Sequence, residues 1–285
     1  MYAITGITGQ VGGAAANSLL AAGQAVRAVL RDPRKGQAWQ AKGCALAIAG
    51  IDDVAAMTAA LHEVQGVFVL LPPLFDPSPG FPEVRALIDS LLAAIRAANP
   101  PKVVLLSTIG AQARQSNLLN QLGMAEQAFA ALPMPVTYLR AAWFIENALW
   151  DVAAAREEGV LRSFLQPLNK PVPMVATRDI GALVAELLQE TWSGQRVVEL
   201  EGPQRVTPNQ LAAAFANALG RPVCAEAVPR GSWLELFRAR GMAHPLPRMQ
   251  MLDGFNEGWI AFESDAVRRG TTKLETVIGE LIQRG

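Results

Sequence analysis

The chain has 285 residues, of which 51% are hydrophobic and 18% are charged. This composition favours a globular protein with a sizeable core over a disordered one. The 25 basic and 25 acidic side chains give a formal net charge of zero, and no basic stripe indicates binding to nucleic acid or to an anionic membrane surface. No apolar stretch approaches the ~20 residues that a membrane span needs. Two isolated cysteines and two histidines offer no metal-ligand spacing, so we expect no metal site. Two unpaired thiols are typical of a reducing compartment, so we expect a cytoplasmic protein.

Strand-like and helix-like segments alternate through the first half of the chain. The predicted strands cover residues 2–5, 26–30, 45–49, 66–71, 102–106 and 136–139. The predicted helices between them cover residues 11–22, 52–61, 83–98 and 124–131. The strands are continuous apolar runs, which is typical of parallel strands covered on both faces. The sequence therefore predicts the α/β class, with a Rossmann-like, doubly wound parallel sheet and right-handed crossovers.

After about Trp143 the pattern becomes less regular. We predict a helix over 179–190 with Asp179 as its N-cap, a strand over 196–200, and a helix over 208–219 between Thr207 and Gly220. The segment 233–251 is either a mobile lid with Gly241 as its hinge or a packed pair of helices. These elements predict a smaller C-terminal α+β lobe. The predicted division is a Rossmann-like domain over 1–142 and a lobe over 143–285, with some segments of the second half returning to the first domain.

A glycine-rich loop lies near the N-terminus. Residues 5–13 read TGITGQVGG, with glycines at positions 6, 9 and 12 between a predicted strand and a predicted helix. This context is typical of a dinucleotide-binding loop. Gly6 permits the tight turn, Gly9 lets the backbone approach a pyrophosphate, and Gly12 lets the helix pack closely on the sheet. The helix N–H groups then face the negative charge. An ordinary glycine turn is the alternative, and three glycines at this spacing argue against it.

The end of the second predicted strand distinguishes the two nicotinamide dinucleotides. An acidic residue there binds the ribose 2′-hydroxyl of NAD, whereas an arginine accommodates the 2′-phosphate of NADP. Arg31 occupies this end, with Arg34 and Lys35 close behind, and a guanidinium pairs well with phosphate. Asp32 follows Arg31 directly, which leaves NAD(H) open. We predict that NADP(H) is preferred over NAD(H).

The ends of two further strands are expected at the same crevice, because ligands bind at the carboxyl edge of an open parallel sheet. Leu71, Pro72 and Pro73 would border the diphosphate and ribose of the cofactor. Ser107 and Thr108 would face the nicotinamide, and either hydroxyl is a candidate catalytic group that hydrogen-bonds the oxygen of an acceptor molecule. A purely structural role at the strand end is the alternative for each.

Several stretches together resemble the NmrA-like family of atypical short-chain dehydrogenases, and within it the NAD(P)H:quinone oxidoreductase type-2 branch. They are TGITGQVGG, VLRDPRK, VLLSTIGA, GMAEQAF, LRAAWFIEN, TRDIGALVAELL and LEGPQRVTPNQLAAAFANALGRPV. The resemblance implies a Rossmann-like domain, a small C-terminal lobe, and a substrate cleft between them. It also implies that a set of residues contacts the cofactor, namely Gly6, Thr8, Gly9, Gln10, Val11, Arg31, Pro72 and Pro73. A homodimer is an expectation at the level of the family.

The chain departs from conventional short-chain dehydrogenases at the catalytic pair. Those enzymes use Tyr-x-x-x-Lys, in which the lysine lowers the tyrosine pKa so that it can pass a proton. Here Tyr2 and Tyr138 are followed four residues on by glycine and alanine. Reduction of a quinone does not need this pair, because the hydroquinone anion takes its proton from water and the protein supplies mainly orientation.

We therefore expect an NADPH-dependent oxidoreductase that transfers hydride to a quinone or a similar small electrophilic acceptor. Trp143, Phe144 and Trp150 are candidates for an apolar wall against such a flat molecule, with a place in the core as the alternative. Glu146 and Asn147 are expected to brace the junction with the lobe rather than to catalyse. The main rival is a non-catalytic NADP(H) sensor of NmrA type that binds a regulatory partner protein. A sugar-nucleotide epimerase shares the fold but needs the tyrosine, so we rank it last.

Overall fold

The structure, a computed structural model, describes residues 1–284. Within that range the strands are β1 (Tyr2–Ile4), β2 (Val26–Leu30), β3 (Ala45–Ile48), β4 (Gly66–Val69), β5 (Val103–Thr108), β6 (Val136–Ala141), β7 (Trp143–Phe144), β8 (Val160–Ser163), β9 (Met174–Val175), β10 (Gln195–Glu201), β11 (Cys224–Ala227) and β12 (Arg268–Arg269). The α-helices are α1 (Gln10–Ala21), α2 (Gln37–Ala41), α3 (Val54–Leu61), α4 (Pro82–Ala98), α5 (Asn120–Phe129), α6 (Val152–Glu157), α7 (Thr177–Gln189), α8 (Pro208–Leu219), α9 (Trp233–Ala239), α10 (Leu246–Glu257) and α11 (Leu274–Arg284). Short 3-10 helices cover Pro33–Lys35, Ile145–Asp151 and Arg230–Ser232.

Eight strands form one sheet, in the spatial order β3-β2-β1-β4-β5-β6-β10-β12. All neighbouring strands in this sheet are parallel. The chain builds outward from β1 to β3, then returns and builds in the other direction from β4. Ligands bind in open α/β sheets where this direction changes, which here is the boundary between β1 and β4. The protein has the Rossmann-like α/β fold that the sequence predicts.

The strands are apolar throughout because helices cover both faces of the sheet. Successive residues of a strand point to opposite faces, and β4 illustrates the result. Phe68 packs in a core with residues of α1 and α7, whereas Val67 and Val69 pack in a second core with residues of α3, α4 and α5. Both sides of such a strand are buried, so no polar alternation is needed.

Most predicted helices lie where the sequence places them. Of the two predicted N-caps, one is confirmed and one is wrong. Thr207 caps α8 in a capping box with Gln210, and Gly220 follows the helix in the left-handed conformation (φ +64°). Asp179 is not the N-cap of α7, because that helix begins at Thr177. The Asp179 carboxylate instead accepts hydrogen bonds from the backbone N–H and the hydroxyl of Thr272, at 2.9 and 2.7 Å. The pattern missed this long-range partner.

A third apolar core lies in the C-terminal half, among residues of α6, α8, α9, α10 and α11. The segment 233–251 contributes α9 and α10, and the side chains of Trp233 and Phe237 are fully buried in this core. That segment is therefore a packed pair of helices. Three elements after residue 142, namely α7, β10 and β12, pack on or join the large sheet. The division into two domains at residue 142 stays a prediction.

Candidate active site

The glycine loop brings backbone, without side chains, to the start of α1. Gly6 is in the left-handed conformation (φ +60°), and its carbonyl accepts a hydrogen bond from the N–H of Gly9 at 2.9 Å. A Cβ on Gly12 would lie 2.4 Å from the Gly6 oxygen, so only glycine lets the helix approach the loop this closely. Gly9 precedes the first residue of α1 and offers no side-chain cap. The N–H groups of this helix end are therefore free to bind an anion, which is what the pyrophosphate of a dinucleotide requires.

A cavity of about 790 Å³ opens from this loop along the carboxyl edge of the sheet. Every residue that the sequence singles out for the cofactor or for catalysis lines it: Gly6, Thr8, Gly9, Gln10, Val11, Gly12, Arg31, Leu71, Pro72, Pro73, Ser107 and Thr108. These residues come from the ends of four different strands and from the loops that follow them. That they contact a cofactor stays a prediction.

Arg31 and Asp32 differ in their surroundings, although they are neighbours at the end of β2. Arg31 is exposed and lines the cavity, and within residues 1–284 its guanidinium has no hydrogen-bond or ion-pair partner. The Asp32 carboxylate accepts hydrogen bonds from the backbone N–H and from Nε and Nη2 of Arg34, at 2.9–3.0 Å. These bonds from Arg34 lower the pKa of Asp32. Asp32, the residue that would bind the ribose of NAD, is thus engaged by Arg34. Arg31, the residue predicted to bind the 2′-phosphate of NADP, remains available.

The Ser107 hydroxyl belongs to a buried hydrogen-bond network at the end of β5. It donates to Oε1 of Glu126 at 2.5 Å. Arg140 donates to both oxygens of the same carboxylate, at 2.9 and 2.7 Å, and also to Glu263 at 2.7 Å. Both Glu126 oxygens therefore act as acceptors, and the single proton of the Ser107 hydroxyl is committed to Glu126. Ser107 can still accept a hydrogen bond from a ligand, but it has no proton left to donate.

Thr108 is held less firmly than Ser107. Its hydroxyl donates only to the carbonyl of Ile109, and the distance of 3.3 Å makes this a weak bond. The side chain is half-buried and lines the cavity. Of the two candidate hydroxyls, Thr108 is the one that can turn its proton toward a bound molecule.

Beyond the two hydroxyls the cavity becomes apolar. Its walls there are formed by large hydrophobic side chains from two loops, from α5 and from β7: Leu74, Phe75, Leu118, Leu119, Leu122 and Phe144. Gln121 holds the two loops together, because its side-chain amide donates to the carbonyls of Leu74 and Leu118, each at 3.0 Å. This end of the cavity suits a flat apolar molecule.

The three aromatic residues suggested for an apolar wall are divided by the structure. Phe144 lines the cavity. Trp143 packs edge-to-face on Phe255 in the third apolar core, with ring centroids 5.3 Å apart. Trp150 is 62% exposed and, with Trp143, is absent from the described residues that line the cavity. The prediction of an apolar wall is wrong for these two tryptophans. Residues close together after β6 enter different surroundings, so only Phe144 of the three faces the cavity.

Glu146 joins the cavity to the start of α7. Its Oε1 accepts hydrogen bonds from the backbone N–H of Thr177 at 2.8 Å and from the Thr177 hydroxyl at 2.6 Å. Glu146 thereby caps α7, which has the alanine Ala176 at its N-cap, and that Glu146 and Asn147 brace the junction with a lobe stays a prediction. Burial raises the pKa of the Glu146 carboxyl. The carboxylate also fixes the position of Thr177, which lines the cavity.

Neither tyrosine is placed to act as a proton donor in the cavity. Within the described chain, the residues that line the cavity include neither Tyr2 nor Tyr138. The Tyr138 hydroxyl donates to Oε1 of Gln195 at 2.5 Å. Burial and the nearby negative charge of Glu126 raise the Tyr138 pKa to about 12, so this phenol holds its proton near neutral pH.

Comparison with known proteins gives the family of this chain. The model of the NmrA-like family matches residues 2–259, which include the glycine loop and all the strand ends that line the cavity. The chain belongs to the NmrA-like family. In the region of the chain that the structure describes, no helix has both the length and the apolar character that a bilayer crossing requires.

Two curated relatives match most of the chain. Quinone oxidoreductase 2 of Escherichia coli is 30% identical over 252 residues, which are 87% of this chain and 85% of that protein. An NAD(P)H azoreductase of Xenophilus azovorans is 28% identical over 225 residues, which are 78% of this chain and 75% of that protein. Among solved structures, the NADPH complex of the Escherichia coli NADPH-dependent quinone oxidoreductase superposes with a TM-score of 0.82, at 26% identity and 99% coverage of both chains.

Proposed function

We propose that this chain transfers hydride from NADPH to a quinone or a similar small electrophilic acceptor, without a Tyr-x-x-x-Lys pair. It is an NAD(P)H-dependent oxidoreductase, and NADP(H) is its cofactor. The observation that carries the finer proposal is the continuity of one cavity. A helix end suited to a pyrophosphate and apolar side chains suited to a flat ring line the same 790 Å³ space, together with Ser107 and Thr108.

The residues at the glycine-loop end fit the cofactor. We assign the pyrophosphate to the backbone of the loop and of the first turn of α1, at Gly6, Thr8, Gly9, Gln10, Val11 and Gly12. We assign the adenosine 2′-phosphate to Arg31, whose unpaired guanidinium can donate two parallel hydrogen bonds. Leu71, Pro72 and Pro73 would border the diphosphate and ribose. When bound, NADPH supplies the hydride.

The two hydroxyls at the end of β5 take different roles in this proposal. Ser107 donates to Glu126, so toward a ligand it can only accept a hydrogen bond. The NH₂ group of the nicotinamide amide is a donor that it can accept from. Thr108 can donate, and we assign to it the hydrogen bond to the acceptor oxygen that gains negative charge. A donor of this kind stabilises the developing anion. The proton that completes the hydroquinone comes from water, because neither tyrosine lines the cavity.

The decisive experiment measures NADPH oxidation with a panel of small quinones. We expect turnover above background in the wild-type protein and none in Gly9→Trp, because the indole would fill the space at the start of α1. Gly231→Trp is the matched control, since a Cβ there meets nothing within 4 Å, and it should retain activity. Tight NADPH binding without oxidation by any acceptor would contradict the enzyme and leave the sensor that binds a regulatory partner.

A further inference from the structure

The apolar end of the cavity is joined to the turn between α9 and α10 by one carboxylate. Asp76 lies in the same loop as Leu74 and Phe75, which line the cavity. Its two oxygens accept hydrogen bonds from the backbone N–H groups of Ala243 and His244, at 2.8 and 2.7 Å. These bonds bring the first turn of α10, which contains Arg248, against the outer side of the cavity wall.

The guanidinium of Arg248 lies among three aromatic rings. Its central carbon is 5.6 Å from the ring centroid of Phe75, 5.8 Å from Trp150 and 5.1 Å from Phe237. Phe75 and Trp150 meet edge-to-face, with centroids 5.9 Å apart, and they are 44% and 62% exposed. We call Arg248, Phe75 and Trp150 the outer cluster. It is open to solvent, and it shares Phe75 with the cavity.

Arg248 has no anionic partner, although it is half-buried. Among residues 1–284, no carboxylate lies within ion-pair distance of its guanidinium, and its one hydrogen-bond contact is with the sulfur of Met242 at 4.0 Å. Burial and the positive charge of Arg240 both lower the Arg248 pKa. Charged side chains that lose water in a folded protein are normally paired. A guanidinium that is partly desolvated and repelled by a second one favours the arrival of an anion.

We propose that the outer cluster is a subsite for the anionic group of an aromatic acceptor, such as a ring that carries a sulfonate or a carboxylate. The reacting ring occupies the apolar end of the cavity, and the substituent passes Phe75 to reach Arg248. This inference rests on the proposed function and adds to it the charge of the preferred acceptors. The subsite is separate from Arg31, which faces the glycine-loop end of the cavity.

The chemistry of the cluster matches such a group. A guanidinium carries five N–H donors in one plane, which suits two oxygens of a carboxylate or a sulfonate. Phe75 and Trp150 present exposed ring surface to an aromatic substituent. A cation held over these rings also keeps a fixed orientation. A neutral quinone would use only the apolar end and would gain nothing from Arg248.

The test compares naphthoquinone with its ring-sulfonated analogue, in the wild-type protein and in Arg248→Gln. We expect the substitution to raise KM for the sulfonated quinone roughly tenfold or more, the loss of one charge-assisted hydrogen bond. KM for the neutral quinone should change less than about twofold by the same reasoning, because it makes no such bond. Arg238→Gln is the matched control: this exposed arginine lies on α9, and in the described chain its guanidinium has no aromatic or carboxylate partner.

Equal changes for both quinones, or none for either, would overturn the subsite. If Arg248→Gln fails to fold, ionic strength decides in the wild-type protein. Added salt should raise KM for the sulfonated quinone alone, and an identical response of both quinones would refute the proposal. If neither quinone is reduced, the proposed function fails. Calorimetry with naphthalenesulfonate then tests the subsite by itself, since saturable binding lost in Arg248→Gln supports it and no binding to the wild-type protein contradicts it.

Discussion

One end of the cavity lies at a glycine-rich loop that presents its backbone, and the other end is lined by large apolar side chains. The glycine-loop end comes from the loop over residues 5–12 and from two further strand ends, at Arg31 and at residues 71–73, and its decisive contact is the approach of Gly12 to the Gly6 carbonyl. The apolar end comes from three separate segments, of which Gln121 joins two and Asp76 ties one to the turn before α10. The first end therefore depends on local sequence, and the second depends on tertiary contacts between residues up to 168 positions apart.

The largest effect is expected from a side chain at the backbone-built end. In Gly12→Ala the new methyl group would lie 2.4 Å from the Gly6 oxygen and 3.0 Å from the Ile7 Cα. Backbone cannot move aside cheaply, so we expect a loss of about 1–3 kcal/mol in the free energy of unfolding, together with loss of NADPH binding. Thermal unfolding and calorimetry measure the two effects.

Gly279→Ala in α11 is the control for that substitution. A methyl group at this position meets nothing within 4 Å, and replacing a helix glycine should be neutral or stabilising by up to ~1 kcal/mol. Unchanged unfolding and unchanged NADPH binding in Gly12→Ala would show that the close approach at the glycine loop is not essential.

The second effect tests whether the backbone-built end also selects between the two dinucleotides. We expect Arg31→Ala to weaken NADPH binding about 10- to 100-fold, because one or two charge-assisted hydrogen bonds to the 2′-phosphate are lost. Binding of NADH should be little affected. Lys35→Ala, an exposed cation of the same turn outside the cavity lining, is the control. Equal losses for NADPH and NADH would refute the assignment of Arg31 to the phosphate.

The two ends also differ in how far the sequence could predict them. Glycines at fixed spacing after an apolar strand report a local backbone requirement, so the loop and its place beside Arg31 could be read directly. The same holds for Thr207 and Gly220, whose capping roles depend on residues a few positions away. The parallel sheet followed from apolar runs that alternate with helices.

The apolar end could not be predicted in this way. Nothing local indicates that Asp76 bonds to the turn at Ala243, or that the Ser107 proton is committed to Glu126. Trp143 and Trp150 are aromatic and near Phe144, which favours a wall, but the direction of each side chain is set by packing partners, such as Phe255 for Trp143, that lie far along the chain. Residue type gave the chemistry there, and only the fold gave the orientation.

A third prediction concerns Asp151, at the end of the 3-10 helix Ile145–Asp151, where burial changes the pKa of the carboxyl. Burial raises the Asp151 pKa from 3.8 to about 6, against the opposing effect of Arg240. A carboxyl whose pKa is raised in the folded state stabilises fully below pH 3.8, and this contribution is lost as the pH rises through about 6. Asp151→Asn removes the ionisation, so we expect it to stabilise the protein at pH 7 and not at low pH.

The full shift would correspond to about 3 kcal/mol, and the partial exposure of the side chain reduces the expected gain at neutral pH to about 1–2 kcal/mol. Denaturant unfolding between pH 4 and pH 8 measures the difference between wild-type protein and variant. A gain that does not depend on pH would mean that Asp151 acts through packing and not through its charge.

The smallest effect separates the two hydroxyls that stand between the ends of the cavity. If Thr108 donates to the acceptor oxygen, Thr108→Val should lower kcat for quinone reduction about fivefold, because the net gain of this hydrogen bond over the one that water would make in its place is ~1 kcal/mol. Ser107→Ala should instead raise KM for NADPH with little change in kcat, because a hydroxyl that donates to Glu126 can only accept from the cofactor. If kcat falls in Ser107→Ala and not in Thr108→Val, the Ser107 hydroxyl turns its proton away from Glu126 during turnover. Ser107 would then be the residue that donates to the acceptor oxygen.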